Sequence, residues 1–156
     1  NSQLPASGEH WDKVDEPIPD DDTTYIWEDK TLSGTYYDTF LHDPFPRAEA
    51  TISKVVVKIR AKRDYSNVYI AVIAAYLRIA GVSYAAIQFD QTELPADSAW
   101  HNVEREWTTN PNTGLPWTVA NINDLEFGVQ IDQAYQAGKF GYVTQVYMEV
   151  PYTFTP

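Results

Sequence analysis

The chain has 156 residues with 22 acidic and 11 basic side chains, which give a net charge of −11 at pH 7. This length is typical of one domain with its own core, and the lack of cysteine excludes disulfides and thiolate sites. The negative charge repels phosphate and anionic lipid, so we expect neither a nucleic-acid nor a membrane partner. The longest apolar run, Val68 to Leu77, is too short to cross a bilayer.

The acidic charge is concentrated in the first third of the chain. Residues 1–46 hold 11 acidic and two basic side chains, whereas residues 47–156 hold 11 and nine. The first part also contains five of the ten prolines, and residues 1–22 lack a packing face of their own. We therefore predict an acidic extended arm over residues 1–22 and a β-sandwich domain over residues 23–156.

Four strands are predicted in the first half of the chain. The first two are short β-branched and aromatic stretches at Thr23–Trp27 and Thr35–Leu41. From Val55 onward, residues 52–62 alternate apolar and polar side chains, which predicts a strand with one face in water. Val68–Ile79 is apolar on both faces and predicts a covered central strand, with a buried helix as the competing interpretation.

The second half of the chain continues the same pattern. Further strands are predicted at Tyr84–Phe89, Trp100–Trp107, Leu125–Ile131 and Phe140–Tyr152. A short helical turn is predicted at Ile122–Leu125, with Asn121 as its cap. We therefore predict a single antiparallel all-β sandwich of jelly-roll type, although the alternation alone is equally typical of an immunoglobulin-like sandwich.

The densest group of candidate metal ligands is the run Asp20, Asp21 and Asp22. Calcium accepts carboxylate oxygens, but the run lacks the alternate spacing, central glycine and closing glutamate of an EF-hand loop. Three interpretations stay open: a solvated acidic turn, a calcium site, and an acidic patch that meets a basic surface on a neighbouring subunit. We expect no cofactor, with calcium at these three residues as the alternative.

A basic strip lies on the outward face of the predicted strand over residues 52–62. It contains Lys54, Lys58, Arg60 and Lys62, with Arg63 expected beside them. The strip is either a soluble sheet surface or a surface that binds the acidic arm of the same or an adjacent copy. The arm is expected to add contacts through Trp11, Tyr25, Ile26 and Trp27. These eight arm and strip residues are the predicted subunit contacts, and the predicted partners are copies of the chain in a homo-oligomer or polymer.

Two alternative functions depend on other side chains. Trp107 and Trp117 flank the Asn-Pro loop and would form the sugar platform of a carbohydrate-binding module. Glu104 and Glu106 share one face of a predicted strand, as a pair of hydrolase carboxylates would. No catalytic residue is predicted, since the sequence contains no nucleophile elbow, phosphate-binding loop or paired histidine motif.

Three segments resemble jelly-roll-like β-sandwich proteins, themselves uncharacterised, from phage structural regions and environmental sequence collections. They are Trp11–Trp27, Asn110–Gln130 and Val143–Tyr152, and the most specific feature is the Asn-Pro loop leading to Trp117-Thr118 and a Leu-Glu-Phe-Gly strand. The resemblance implies a virion-associated or otherwise extracellular structural protein. We therefore predict a non-enzymatic protein that self-assembles into, or decorates, a virus particle or extracellular filament, with a capsid or tail surface as a further candidate partner.

Overall fold

A computed structural model describes residues 2–4, 7–27, 35–64, 71–132 and 141–154 of the chain. These residues contain a single 3-10 turn at Trp11–Lys13 and one α-helix, α1 (Val119–Asn123). In chain order the strands are β1 (Ser2–Leu4), β2 (Tyr25–Trp27), β3 (Thr35–Phe40), β4 (Thr51–Ile52), β5 (Val55–Arg63), β6 (Val72–Ile79), β7 (Val82–Gln88), β8 (Trp100–Trp107), β9 (Leu125–Asp132), β10 (Gly141–Glu149) and β11 (Tyr152–Thr153).

Most of the strands form two antiparallel sheets packed against each other, so the prediction of an all-β sandwich is confirmed. One sheet has the spatial order β1-β2-β10-β5-β8, and the other has the order β3-β9-β6-β7. Strands β4 and β11 pair separately. The core between the sheets consists mainly of branched aliphatic side chains, among them Ile59, Leu77 and Ile131. Their burial supplies the main favourable term in folding.

The alternation predicted for β5 is present in the structure. Val55, Val57 and Ile59 are buried, whereas Lys58 and Arg60 lie partly in water on the other face. The strand therefore presents one face to the core and a charged face outward, as its period of two requires.

Arg63 does not belong to the charged face, and the expectation that it lies beside the strip is wrong. As the ninth residue of β5 it has the inward orientation, and only 2% of its surface is exposed. Its guanidinium donates to the backbone oxygens of Phe89 (2.5 Å) and Leu94 (3.1 Å). Burial lowers the pKa of Arg63. The side chain thus fixes the connection from β7 to β8.

The apolar run that ends at Ile79 forms a strand, β6, and not a helix. It forms a hairpin with β7 through Ala80 and Gly81, which both have positive φ, as a two-residue hairpin turn requires. Residues 68–70 and Phe140, the predicted beginnings of two strands, lie outside the described residues.

Gly128 on β9 allows the edge strand β3 to approach closely. It pairs with Thr39, and a Cβ at position 128 would overlap the backbone oxygen of Asp38. On the same sheet the rings of Tyr37 and Tyr76 lie 4.6 Å apart. The structure thus requires a residue without a side chain where β3 approaches β9.

The helix begins earlier than predicted. Thr118, not Asn121, is its N-cap, because the Thr118 hydroxyl accepts from the Asn121 N–H while the Asn121 side chain accepts from the Thr118 N–H. This capping box fixes the first turn. Among the described residues, no helix has the length and apolar character needed to cross a membrane.

Candidate functional site

The described residues of the N-terminal segment pack against the sandwich of their own chain. Val14 is buried in the core, and its backbone oxygen accepts from the N–H of Val146 on β10 at 2.9 Å. Strand β1 pairs with β2, which pairs with β10 in the same sheet. The described residues of the segment therefore lie on the sandwich of the same chain, and exchange of the segment between copies stays a prediction.

Residues 15–22 form a loop, called the acidic loop below, that crosses the outer face of the five-stranded sheet. It is attached to β10 near its start and just after its end. The Glu16 backbone oxygen accepts from the Gln145 side chain at 2.7 Å, and the Thr24 backbone oxygen accepts from the Thr144 hydroxyl at 2.8 Å. The acidic residues between these anchors are thereby held over the basic strip.

Two aspartates of the acidic loop pair with the strip. Asp21 accepts from Nε and Nη2 of Arg60 at 2.5 and 2.8 Å, and Asp22 accepts from Nζ of Lys62 at 2.6 Å. The hydrogen bond from Lys62 lowers the pKa of Asp22, and the bond to Asp21 raises the pKa of Arg60. The charge complementarity expected from the sequence is thus present within one chain.

The other half of the strip pairs with acids on neighbouring strands. Lys54 lies 2.6 Å from Glu106, and Lys58 lies 2.8 Å from Glu149 and 3.8 Å from Glu104. Hydrogen bonds to Glu106 and Glu149 raise the pKa of Lys54 and Lys58 respectively. The two carboxylates considered for hydrolysis therefore serve as lysine partners on an open sheet face.

The three consecutive aspartates do not converge on one point. Asp20 accepts from the N–H and hydroxyl of Thr24 at 3.0 and 2.7 Å, whereas Asp21 and Asp22 face Arg60 and Lys62. Over the part of the chain that the structure describes, no three acidic or histidine side chains are grouped to hold a metal ion. The arrangement that the calcium alternative requires is therefore not formed.

An aromatic cluster surrounds Lys62 on the same sheet face. The ring of Tyr25 lies 5.4 Å from Trp27, 5.4 Å from Tyr142 and 6.3 Å from Trp100. Nζ of Lys62 lies 4.7 Å from the Trp100 ring and 4.9 Å from the Tyr142 ring, within the range of cation–π attraction. Sequence reasoning missed Trp100 and Tyr142, because only strand pairing shows that they flank Lys62 from β8 and β10.

Ile26 is wholly buried, and its assignment as a subunit contact is wrong. The alternation of β2 places Tyr25 and Trp27 on the outer face and Ile26 in the core.

On the same outer face, burial raises the pKa of Tyr142, whose hydroxyl donates to Asp64 at 2.9 Å.

Trp107 and Trp117 do not form an exposed platform for sugar, and this prediction is wrong. Only 4% of Trp117 is exposed, and its indole N–H donates to the Trp107 backbone oxygen at 2.8 Å. Trp107 lies opposite Val55 and packs against the core. The loop between them folds back, so Trp117 lies inside the fold and Trp107 is only partly exposed beside it.

An apolar cleft of about 520 Å³ opens at the β3 side of the sandwich. Its lining residues are Trp11, Val14, Asp15, Thr39, Phe40, Leu41, Phe127 and Val146. The walls are Phe127 and Val146, which are buried, and the rim carries Trp11 and Leu41, which are 54% and 83% exposed. Here an opening between the sheets leaves large apolar side chains in water.

Of the predicted subunit contacts, Trp11 is the one that lines this cleft. Sequence reasoning missed Leu41. The sequence gives only a weak signal for Leu41, which directly follows Phe40 at the end of β3. A single exposed leucine at such a position is common in soluble proteins.

Comparison of the chain with known protein families, with curated proteins and with solved structures found no match. The resemblance to jelly-roll-like phage proteins therefore stays a prediction.

Proposed function

We propose that this protein is a non-enzymatic structural subunit that self-assembles into, or decorates, a virus particle or an extracellular filament. The observation that carries the proposal is the apolar cleft, with Trp11 and Leu41 exposed at its rim. Exposed apolar side chains beside a cleft are candidates for an interaction site, because association that buries them recovers the free energy of leaving them in water.

The strand order supports the jelly-roll type. When the eight main strands β2, β3 and β5–β10 are numbered 1 to 8, the sheets have the orders 1-8-3-6 and 2-7-4-5. Each sheet thus takes strands alternately from the two ends of the chain, as in a jelly roll. This fold is common in viral capsid proteins but also in lectins, so it agrees with the proposal without distinguishing it from sugar binding.

The contacts of the N-terminal segment also support assembly. Trp11 belongs to this segment, while Phe40 and Leu41 belong to the sandwich, and all three line the cleft. A partner that enters the cleft therefore contacts both parts of the chain. This combination matches the expectation that subunit contacts involve the segment and a sandwich face.

Light scattering on the purified full chain, with negative-stain images of the same sample, tests the proposal. We expect a mass several times the 17.7 kDa of one chain, with rings or filaments in the images. A mass of one chain at every protein concentration would contradict self-assembly.

A carbohydrate-binding module is the second candidate, and the aromatic cluster of Tyr25, Trp27, Trp100 and Tyr142 is the observation that favours it. Aromatic rings on a sheet face provide stacking surface for sugars. Titration with a glycan panel would test this role, with and without chelator to detect a calcium requirement. Binding lost in Trp100→Ala but kept in Trp11→Ala would support it, and no binding by the intact protein would remove it.

A further inference from the structure

The loop Asn110–Trp117 presents one leucine on a fixed support. Asn110 is wholly buried; its N–H donates to the Leu115 oxygen at 2.9 Å, and its own oxygen accepts from Gly114 at 2.8 Å. Trp117 anchors the far end of the loop in the core. Leu115 is nevertheless 63% exposed. Because the loop around it is already ordered, binding through Leu115 would cost little further conformational entropy.

This loop and the cleft lie at opposite edges of the four-stranded sheet, the loop at β7 and the cleft at β3. Phe40, Phe127, Leu77 and Tyr84 form one row across its four strands. Phe40 lines the cleft at one end of the row, and at the other end Tyr84 donates to Asn112 of the loop. Three strand spacings of about 4.8 Å separate the ends. A chain therefore cannot fill its own cleft with its own loop.

Charge distinguishes the two aliphatic side chains that are exposed on loops away from the cleft, Ile18 and Leu115. The chain has a net charge of −11, so two copies repel unless the touching surfaces are neutral or complementary. The cleft rim contains the exposed Asp15. Ile18 is also exposed, but it lies within the acidic loop and would bring carboxylates toward Asp15. The Asn110–Trp117 loop has no charged residue, and its amide and hydroxyl groups can donate to an acidic rim.

We infer that the partner of the cleft is a second copy of this chain, whose Leu115 enters between Trp11 and Leu41. The inference rests on the proposed function and names the contact that would carry it. Because two different surfaces meet, the contact is head-to-tail, and each copy keeps one free cleft and one free loop. Repetition then builds a ring if the rotation closes and a filament if it does not.

Two variants that each block one half of the contact test the inference. Leu115→Asp damages the loop and leaves the cleft intact, whereas Leu41→Asp damages the cleft and leaves the loop intact. Ile18→Asp is the matched control, because it places the same charge at an equally exposed apolar site. All three positions are exposed, so we expect circular dichroism and melting temperature to stay those of the wild type.

Light scattering at one protein concentration gives the readout. We expect wild type and Ile18→Asp to assemble, and each of the other two variants to stay at the mass of one chain. An equimolar mixture of Leu115→Asp and Leu41→Asp should give a species of twice that mass, because one intact loop meets one intact cleft. A mixture that stays at the mass of one chain would overturn the head-to-tail contact.

The failures of the inference and of the proposed function differ in this experiment. If both single variants assemble as the wild type does, the protein self-assembles through another surface and the inference alone is wrong. If wild type itself keeps the mass of one chain, the proposed function is contradicted and the inference falls with it.

Discussion

The outer face of the five-stranded sheet and the cleft at the β3 side differ in whether their exposed groups have partners within the chain. On the outer face each basic side chain of the strip has an acidic partner within the chain, from Lys54 with Glu106 to Lys62 with Asp22. At the cleft, Trp11 and Leu41 remain exposed. A surface whose charges are already paired gains little from a partner, whereas exposed apolar surface gains by burial. This difference is the reason why the proposed contact between copies is placed at the cleft.

Removing the support of the cleft should have the largest effect. We expect Gly128→Ala to lower the free energy of unfolding by about 3 kcal/mol, because the new Cβ overlaps the Asp38 backbone and displaces β3. Gly81→Ala is the control, since a Cβ there meets no atom within 4 Å and only the positive φ is strained, at about 1 kcal/mol. Urea unfolding of both variants measures the difference. Equal losses would show that Gly128 is not required for close approach.

The two faces of β5 can be compared through two arginines three residues apart. We expect Arg63→Met to cost about 3 kcal/mol, because it leaves the Phe89 and Leu94 oxygens buried without their donor. Arg60→Met breaks a partly exposed pair and should cost about 1 kcal/mol or less. Thermal unfolding of both variants provides the comparison, and a larger loss for Arg60→Met would contradict the assignment of the inner and outer faces.

Part of this comparison follows from the sequence, and part does not. Period two predicts β5, β9 and the part of β10 after Thr144, and it places Arg63 inward once β5 is extended to nine residues. It does not predict the bulge between Val143 and Gln145, which puts Tyr142 on the outer face. It cannot show that Trp117 folds back under Trp107, because the loop between them sets that position. Nor can charge patterns tell whether Asp21 meets Arg60 of its own chain or of a neighbour. The cleft depends on how two sheets and the N-terminal segment meet, which no local pattern encodes.

Truncation of a rim residue should weaken assembly without unfolding the chain. We expect Trp11→Ala to weaken self-association about tenfold, since large aromatic side chains dominate protein interfaces. Tyr147→Ala removes an exposed ring from the outer face and should leave association unchanged. Dilution experiments followed by sedimentation velocity measure both constants. A stronger effect from Tyr147→Ala would move the contact to the outer face.

The smallest effect concerns the acidic loop and pH. Lys62 lowers the pKa of Asp22 below its ordinary 3.8, so this pair stabilises the fold above that pH, and the contribution is lost as pH falls through the lower folded value. Asp22 is largely exposed, and we expect a contribution below about 1 kcal/mol. Tryptophan fluorescence reports the change, because Nε1 of Trp100, one of the five tryptophans, lies 3.2 Å from Asp22. Asp22→Asn should abolish this acid transition, and its persistence in the variant would assign the transition to another group.

The salt dependence of assembly tests the central claim most directly. Sedimentation velocity of the wild-type chain across a series of sodium chloride concentrations gives the mass distribution at each salt level. Salt screens the repulsion between copies of charge −11 and leaves apolar burial intact, so contact through the cleft predicts larger assemblies as salt increases. Assemblies that dissociate with added salt would show that copies meet through charge pairs, and would contradict the account.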